Sequence, residues 1–349
     1  MFVKSEKNIF VVLLVYVDGI VITGNDVHEI KKIKQFLSSK FLIKDLGVLK
    51  YFLGIEVLKT KTEICLSQRK YCLELLSQFD LLGCKPAPTP LESDLPSYSV
   101  HLLSQFMHSP LNSHFKCALR LLRYLKGAPG LGVHISKSVD MGLVAYVDSY
   151  WGKACMVRKS VTGFCGFLNG STVSWKSKKQ STVSRSSAEA EYRALADVTC
   201  EIIWILKLLD EFKHNSIIPV KIFVDNKAAI KIASNLVFHE KTKHFEIDLH
   251  YIREKLSFGI IQVEAIQCCT RCSWSCCCIS VSAFKFLCDY SDHTIVCSWS
   301  VTHLPMRPIN MVALFNMLVI GFVNCWQTAF AHGGGIVMAI FAVTISRIR

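Results

Sequence analysis

Residues 181–209 read STVSRSSAEAEYRALADVTCEIIWILKLL. The hydroxyl-rich run Ser184-Arg185-Ser186-Ser187 can cap a helix N-terminus, with Ser187 in register to accept from the first free amides. Behind it, Leu195, Val198, Ile202, Ile205 and Leu209 recur at three- and four-residue spacing, the apolar stripe of a helix packed on a core. Glu189 and Glu191 fall in its first turn or two. A carboxylate there favours the positive end of the helix dipole, so helix-start chemistry alone accounts for both; the alternative is that one of them faces a metal. Two residues apart means about 200° around the helix, so they cannot share one site.

Working outward, short strands precede this helix over Leu143–Val147, Gly163–Leu168 and Thr172–Trp175, separated by charged or glycine-containing turns. After it come an apolar strand, Val220–Val224, ending in Asp225-Asn226, a helix from Thr242 to Lys255, and a last strand, Ile260–Ile266. The order β-β-β-α-β-α-β implies an α/β (α+β) domain, a mixed five-stranded sheet with flanking helices. It carries Asp148, the helix-start glutamates and Asp225 towards one end of the sheet, with Asp148 and Asp225 expected to terminate strands. Carboxylates so grouped suit two-metal phosphodiester hydrolysis, where they offset the charge of paired divalent cations about 4 Å apart. Many strands end in Asp, so spacing alone leaves the matter open. Lys176, Lys178 and Lys179 form a basic patch that either contacts a nucleic-acid backbone or is a solvated turn. His244 and Asp248 share a helix face at i, i+4 spacing and could bind metal or phosphate; a helix-start histidine with local hydrogen bonds is the plainer account.

The chain has 349 residues, 51% of them hydrophobic, enough for two domains or one with appendages, and a formal net charge of +13 that favours an anionic partner such as nucleic acid. Of its 16 cysteines, those between Cys65 and Cys200 have no paired spacing and read as thiols of a reducing compartment. Lys4 and Lys7 before the apolar run Ile9–Val17 imitate a secretory signal. No small-residue cleavage site follows, and Tyr16-Val17-Asp18-Gly19 then Thr23-Gly24-Asn25-Asp26 read as strand, turn, strand with Asp18 at the tip. The chain is therefore expected in the cytoplasm or nucleus. A helix should follow from Val27 to Phe41, with Ile30, Ile33, Phe36 and Leu37 on one face.

LLVYVDGIVITGND (13–26), FLIKDLGVLKYFLGIEV (41–57) and ICLSQRKYCLELLSQFDLLGCKPAPTPLE (64–92) resemble the downstream part of the reverse transcriptase in Pol polyproteins of copia-type LTR retrotransposons. That family normally carries Tyr-Val-Asp-Asp at the hairpin, two carboxylates for a magnesium pair; Gly19 stands in place of the second, and the earlier palm aspartate would lie before Met1. The resemblance thus implies a vestigial Asp18 and no polymerase activity. YVDSYWG (146–152), residues 158–196, FVDNKAAI (223–230) and FHEKTKHFEIDLHYIREKL (238–256) are similar to the ribonuclease H domain of the same elements. Position by position, the resemblance makes Asp148, Glu191 and Asp225 the catalytic, metal-binding carboxylates, with Mg2+ as cofactor and an RNA–DNA hybrid as partner. It selects Glu191 because Glu191-Tyr192-Arg193-Ala194-Leu195 matches the family's glutamate and helix body. Tyr150 stands where the family is usually acidic.

Two departures break the pattern. TPLESDL (89–95) runs straight into PSYSVHLLSQFMHSP (96–110), whereas the family has a few tens of residues between, so Pro86–Ser99 reads as a linker at a deletion seam. After it His114–Lys126 reads as a basic helix with Ala118, Leu121, Leu122 and Leu125 inward, and Arg120, Arg123 and Lys126 either solvated or against a nucleic-acid backbone. Beyond Ile266 no stretch matches the family's fourth carboxylate. Cys268, Cys269, Cys272, Cys276, Cys277 and Cys278 lack a second spaced pair for zinc, and Met311–Phe330 is long enough to span a bilayer, though Asn316, Asn324 and Gln327 weaken it. The expected organisation is a truncated polymerase piece (1–92), a linker with a basic helix (93–136), a ribonuclease H-like domain (137–267) and an unrelated tail (268–349). The expected function is a degenerate, weak or inactive ribonuclease H; the alternatives are a non-catalytic nucleic-acid-binding relic and a pseudogene translation without function.

Overall fold

The computed structural model describes residues 1–6, 9–16, 19–90, 99–100, 103, 106–107, 109–136, 142–152, 158–212, 218–234 and 246–266. Asp18, His244, the cysteine-rich stretch and the apolar segment Met311–Phe330 lie outside them. Among the described residues no helix is long and apolar enough to cross a membrane, and the six cysteines present are free thiols.

The near-signal segment is a strand, as its flanking turns imply. β1 (Phe2–Glu6), β2 (Ile9–Val15) and β3 (Ile20–Gly24) form an antiparallel sheet in that order, with Leu14 opposite Val21. Asp26 then caps α1 (Val27–Lys40), its Oδ1 accepting from the His28 and Glu29 amides at 2.7 and 3.1 Å. The periodicity gives a helix where expected, but no residue of α1 is fully buried, and Phe36 is 61% exposed.

A second antiparallel sheet runs β4 (Tyr51–Phe52), β5 (Ile55–Lys59), β6 (Glu63–Ser67), β7 (Gly132–Ser136). Its last strand comes from the far side of the seam. Between them, α2 (Arg69–Gln78) and α3 (Asn112–Leu125) pack through Leu75, Leu76, Phe115, Ala118, Leu121 and Leu122. Arg120 and Arg123 of α3, and Lys126 at its C-cap, bond to backbone of the preceding segment. Arg120 donates to the Thr89 carbonyl and hydroxyl at 3.3 and 2.9 Å, Arg123 to the Lys85 carbonyl at 3.0 Å, and Lys126 to the Cys84 carbonyl. They tie the start of the proline-rich segment to the helix, because backbone carbonyls left free beside Pro86, Pro88 and Pro90 need donors.

The third sheet has the order β10-β9-β8-β11-β12, from β8 (Leu143–Tyr150), β9 (Val161–Leu168), β10 (Ser171–Lys179), β11 (Val220–Val224) and β12 (Ile261–Ala265). β8, β11 and β12 are parallel, and β9 and β10 run antiparallel. The β9–β10 hairpin turns through Asn169 and Gly170 at φ of 54° and 74°, the left-handed pair of a two-residue hairpin loop. This is the mixed five-stranded sheet with flanking helices that the sequence implies. Like α2, one helix beside this sheet goes beyond the sequence expectation: α5 (Lys227–Ser234), capped by Asn226 Oδ1 on the Ala228 and Ala229 amides. α6 (Glu246–Ser257) follows.

The organising helix is α4 (Ser187–Glu211). Its cap is Ser186, not Ser187: the Ser186 hydroxyl accepts from the Glu189 amide at 3.1 Å, while Ser187 is already the first helical residue. Leu195, Val198, Ile202, Ile205 and Leu209 form one core with Ala145 and Val147 of β8, Phe164 of β9, Ile222 of β11 and Leu249 and Ile252 of α6. Burying each such aliphatic side chain stabilises the fold by about 1.5–3 kcal/mol. Val12 of β2 belongs to the same core, and Phe10 meets Phe212 edge to face with centroids 6.3 Å apart. The N-terminal sheet therefore closes the end of α4.

Candidate metal centre

Asp148 does not end a strand, contrary to expectation. Antiparallel pairing to β9 carries β8 on to Tyr150 opposite Val161. The parallel pairing stops earlier, at Val147 opposite Val224. Asp148 and Asp225 are thus the first residues beyond the β8–β11 ladder, side by side where neither is committed to the other strand.

Glu191 reaches the same point from the second turn of α4. The ligand oxygens of Asp148, Glu191 and Asp225 all lie within 4.8 Å of one another. The Ser149 amide donates to Glu191 Oε1 at 2.9 Å. Glu191 is only 4% exposed; its Oε2 is buried with no donor beside it, and the carboxyl, when protonated, shares a hydrogen bond with Asp148. Among the described residues no lysine or arginine forms an ion pair with any of the three. Burial, then the charges of Asp148 and Asp225, push the Glu191 carboxyl up to about 9. Burial and the Asp225 charge raise Asp148, and burial raises Asp225. Carboxylates crowded together and partly dehydrated resist a third negative charge. A divalent cation reverses that penalty, and hard oxygen donors with a lone pair left unused are what magnesium or manganese takes.

Glu189 faces elsewhere. Its Oε2 accepts from the Arg185 amide at 2.9 Å, and its Oε1 from Arg193 Nε and Nη2 at 3.2 and 3.0 Å. The arginine and the helix-start amide neutralise it, so its role is to begin the helix.

The other sequence candidates separate. Lys176 lies 3.8 Å from Asp197 of α4 and 5.7 Å from the Phe164 ring centroid, so it braces the sheet against the helix. Lys178 pairs opposite Thr162, which itself lies opposite Ser149. Lys178 and Lys179 are therefore at the acidic end of the sheet, two strands from Asp148, about 10 Å at ordinary strand spacing. Lys178 is exposed and Lys179 half-buried. Tyr150 is exposed at the end of β8. Sequence reasoning did not find the Ser149 amide, because a backbone donor leaves no mark in side-chain pattern. It also did not find Thr162, Gln180 and Ser184, buried polar residues around the start of α4 that look in the sequence like ordinary turn chemistry.

Residues 1–93 match the family model described as reverse transcriptase (RNA-dependent DNA polymerase). The retrovirus-related Pol polyprotein from transposon RE1 of Arabidopsis thaliana is 36% identical over 300 residues, covering 76% of this chain and 20% of that protein. The uncharacterized mitochondrial protein AtMg00810 of the same plant is 37% identical over 223 residues, 55% of this chain and 93% of that protein. The chain belongs to the retrotransposon Pol polyprotein family. The copia-type resemblance read from the sequence is to this family. The Pol chain spans about a fifth of the length of the first curated relatives it matches. Among solved structures, the N-terminal ribonuclease H domain of Rv2228c from Mycobacterium tuberculosis overlaps 36% of this Pol chain and 87% of that domain at 14% identity, with a TM-score of 0.27. The third sheet and its helices lie downstream of the residues that the reverse-transcriptase model matches.

Proposed function

We propose that the ribonuclease H-like unit is a weak magnesium-dependent nuclease for the RNA strand of an RNA–DNA hybrid, working in the cytoplasm or nucleus. The observation that carries this reading is the convergence of Asp148, Glu191 and Asp225 within 4.8 Å, with no cationic side chain paired to them among the described residues. Asp148 and Asp225 would hold metal from the two strand ends, and Glu191 from the helix. The Ser149 amide keeps one Glu191 oxygen fixed and leaves the other, which has no donor, for the cation. Bound magnesium supplies positive charge for the attacking and leaving oxygens of a phosphodiester. Lys178 and Lys179 offer phosphate contacts on the same end of the sheet, which position a backbone and carry no sequence preference.

Weakness follows from charge. No fourth carboxylate joins the three among the described residues, and Tyr150 adds none, so the site offsets less cation charge than a two-metal centre requires. The high proton affinity of Glu191 adds a competitor for metal at neutral pH. Polymerase activity is excluded from the proposal because Gly19 replaces a carboxylate in the hairpin.

The test is a hybrid-cleavage assay on the full chain with magnesium or manganese, since Val12 and Phe10 pack against α4 and a trimmed unit would expose that core. Slow cleavage that disappears in Asp148→Asn supports the proposal. Cleavage at the rate of a fully active ribonuclease H would overturn its weakness. Salt-sensitive hybrid binding with no turnover under any metal would favour a non-catalytic nucleic-acid binder instead.

A further inference from the structure

We infer that Gln180 is a positioning residue for Glu191, a role that rests on the metal-site reading above. Gln180 follows β10 directly, and its amide N–H donates to the Ser160 carbonyl at 2.9 Å, anchoring its backbone to the residue before β9. Its side chain is 8% exposed. Nε2 donates to Thr162 Oγ1 at 3.1 Å and to the Ala190 carbonyl at 2.9 Å, and Oε1 accepts from the Ser184 hydroxyl at 3.0 Å. The Ala190 carbonyl can only accept, which fixes which end of the amide faces the helix.

These bonds close a circuit. Thr162 lies opposite Ser149 in the β8–β9 ladder, and the Ser149 amide donates to Glu191 Oε1. Glu191 is covalently next to Ala190, which Gln180 holds. One side chain thus ties the backbone of the second turn of α4 to the strand pair that carries Asp148. Sliding of α4 along its axis changes the reach of Glu191, and Gln180 opposes that slide from inside the protein, where hydrogen bonds are stronger than in water. Ser184, the third partner, extends the clamp to the segment that leads into the Ser186 cap.

Gln180→Met keeps the length of the side chain and removes both donors. In the full chain three quantities separate the alternatives: manganese affinity by calorimetry, exchange of the Ser149 amide hydrogen, and thermal unfolding. A positioning role gives about a tenfold or greater loss of manganese affinity and faster Ser149 exchange at temperatures well below unfolding. A merely structural role lowers the unfolding temperature and leaves both other quantities at wild-type values, which would overturn the inference. Should Gln180→Met fail to fold, Thr162→Val removes one clamp contact with little change of shape, and the same two quantities should move in the same direction by less; wild-type values in that variant would equally overturn it. A wild-type chain that binds no manganese would refute the metal-site reading, and Ser149 exchange alone would then still decide whether Gln180 holds the helix.

Discussion

α1 and α4 begin alike and end differently. Each opens on a side chain that caps the first free amides, Asp26 for α1 and Ser186 for α4, and each carries apolar residues at helical spacing. α4 buries its stripe between the sheet and α6, and everything about the acidic site depends on its position. α1 lies on the β2–β3 hairpin with no fully buried residue, and the segment after it exposes Phe41, Leu42, Leu46 and Val48. Apolar periodicity specifies a helix, but the stability a helix contributes comes from the partner surface its stripe meets.

Substitutions should separate the two helices sharply. Leu195→Ala, in the centre of the shared core, should destabilise the chain by about 2–5 kcal/mol, measurable by denaturant unfolding. Phe10→Ala probes the far end of α4 through Phe212. It should lower the cooperativity or stability of the third sheet and α4 although it lies in the N-terminal sheet; an unchanged transition would show that the N-terminal sheet does not brace α4.

Protonation gives a second contrast. The Glu191 carboxyl is raised from an ordinary 4.5 to about 9, so its folded-state pKa exceeds its unfolded one. The stability it contributes is then fully present below about pH 4.5 and lost as pH rises towards 9. Without metal, the chain should melt at lower temperature as pH climbs through that window. Glu191→Gln should flatten this dependence. Asp26, capping α1, has its carboxyl lowered by the Glu29 and His28 amides, so its contribution has the opposite sign, present at neutral pH and lost on acidification. Unfolding profiles of Glu191→Gln and Asp26→Asn, run from about pH 2 to pH 9, check the two signs together.

Smaller effects complete the series. Ser186→Ala should cost about 1 kcal/mol through the lost cap. Phe36→Ala, on exposed α1, should stay within about 0.5 kcal/mol of wild type; a larger loss would mean that α1 is covered in solution.

Much of this architecture is legible in the sequence because local signals agree with the tertiary outcome. The β11 strand is found residue for residue, since five apolar-rich positions stand between Pro219 and Asp225. α3 and the strands of the β9–β10 hairpin are found to within a few residues. The cap of α4 is off by one because four hydroxyl-rich or basic residues in a row offer several acceptors, and the choice belongs to the segment's path from Gln180. α5 escapes because eight residues hold barely two turns of periodicity. The long reach of β8 escapes because Asp148 and Ser149 look like a strand end, and only pairing with β9 carries the ladder past them. Residues 132–136 are equally opaque: no local pattern says that β7 will pair with β6 across the seam. Of the site, the three carboxylates are marked by motif, while the Ser149 amide and the Gln180 clamp exist only once strands and helix are assembled.

The most direct test of the account is calorimetric titration of the full chain with manganese at two pH values, beside Asp148→Asn. The expected result is binding that strengthens as pH rises, releases protons, and disappears in the variant. Manganese affinity that is the same in wild type and Asp148→Asn, or absent at both pH values, would contradict the assignment of Asp148, Glu191 and Asp225 as a metal centre.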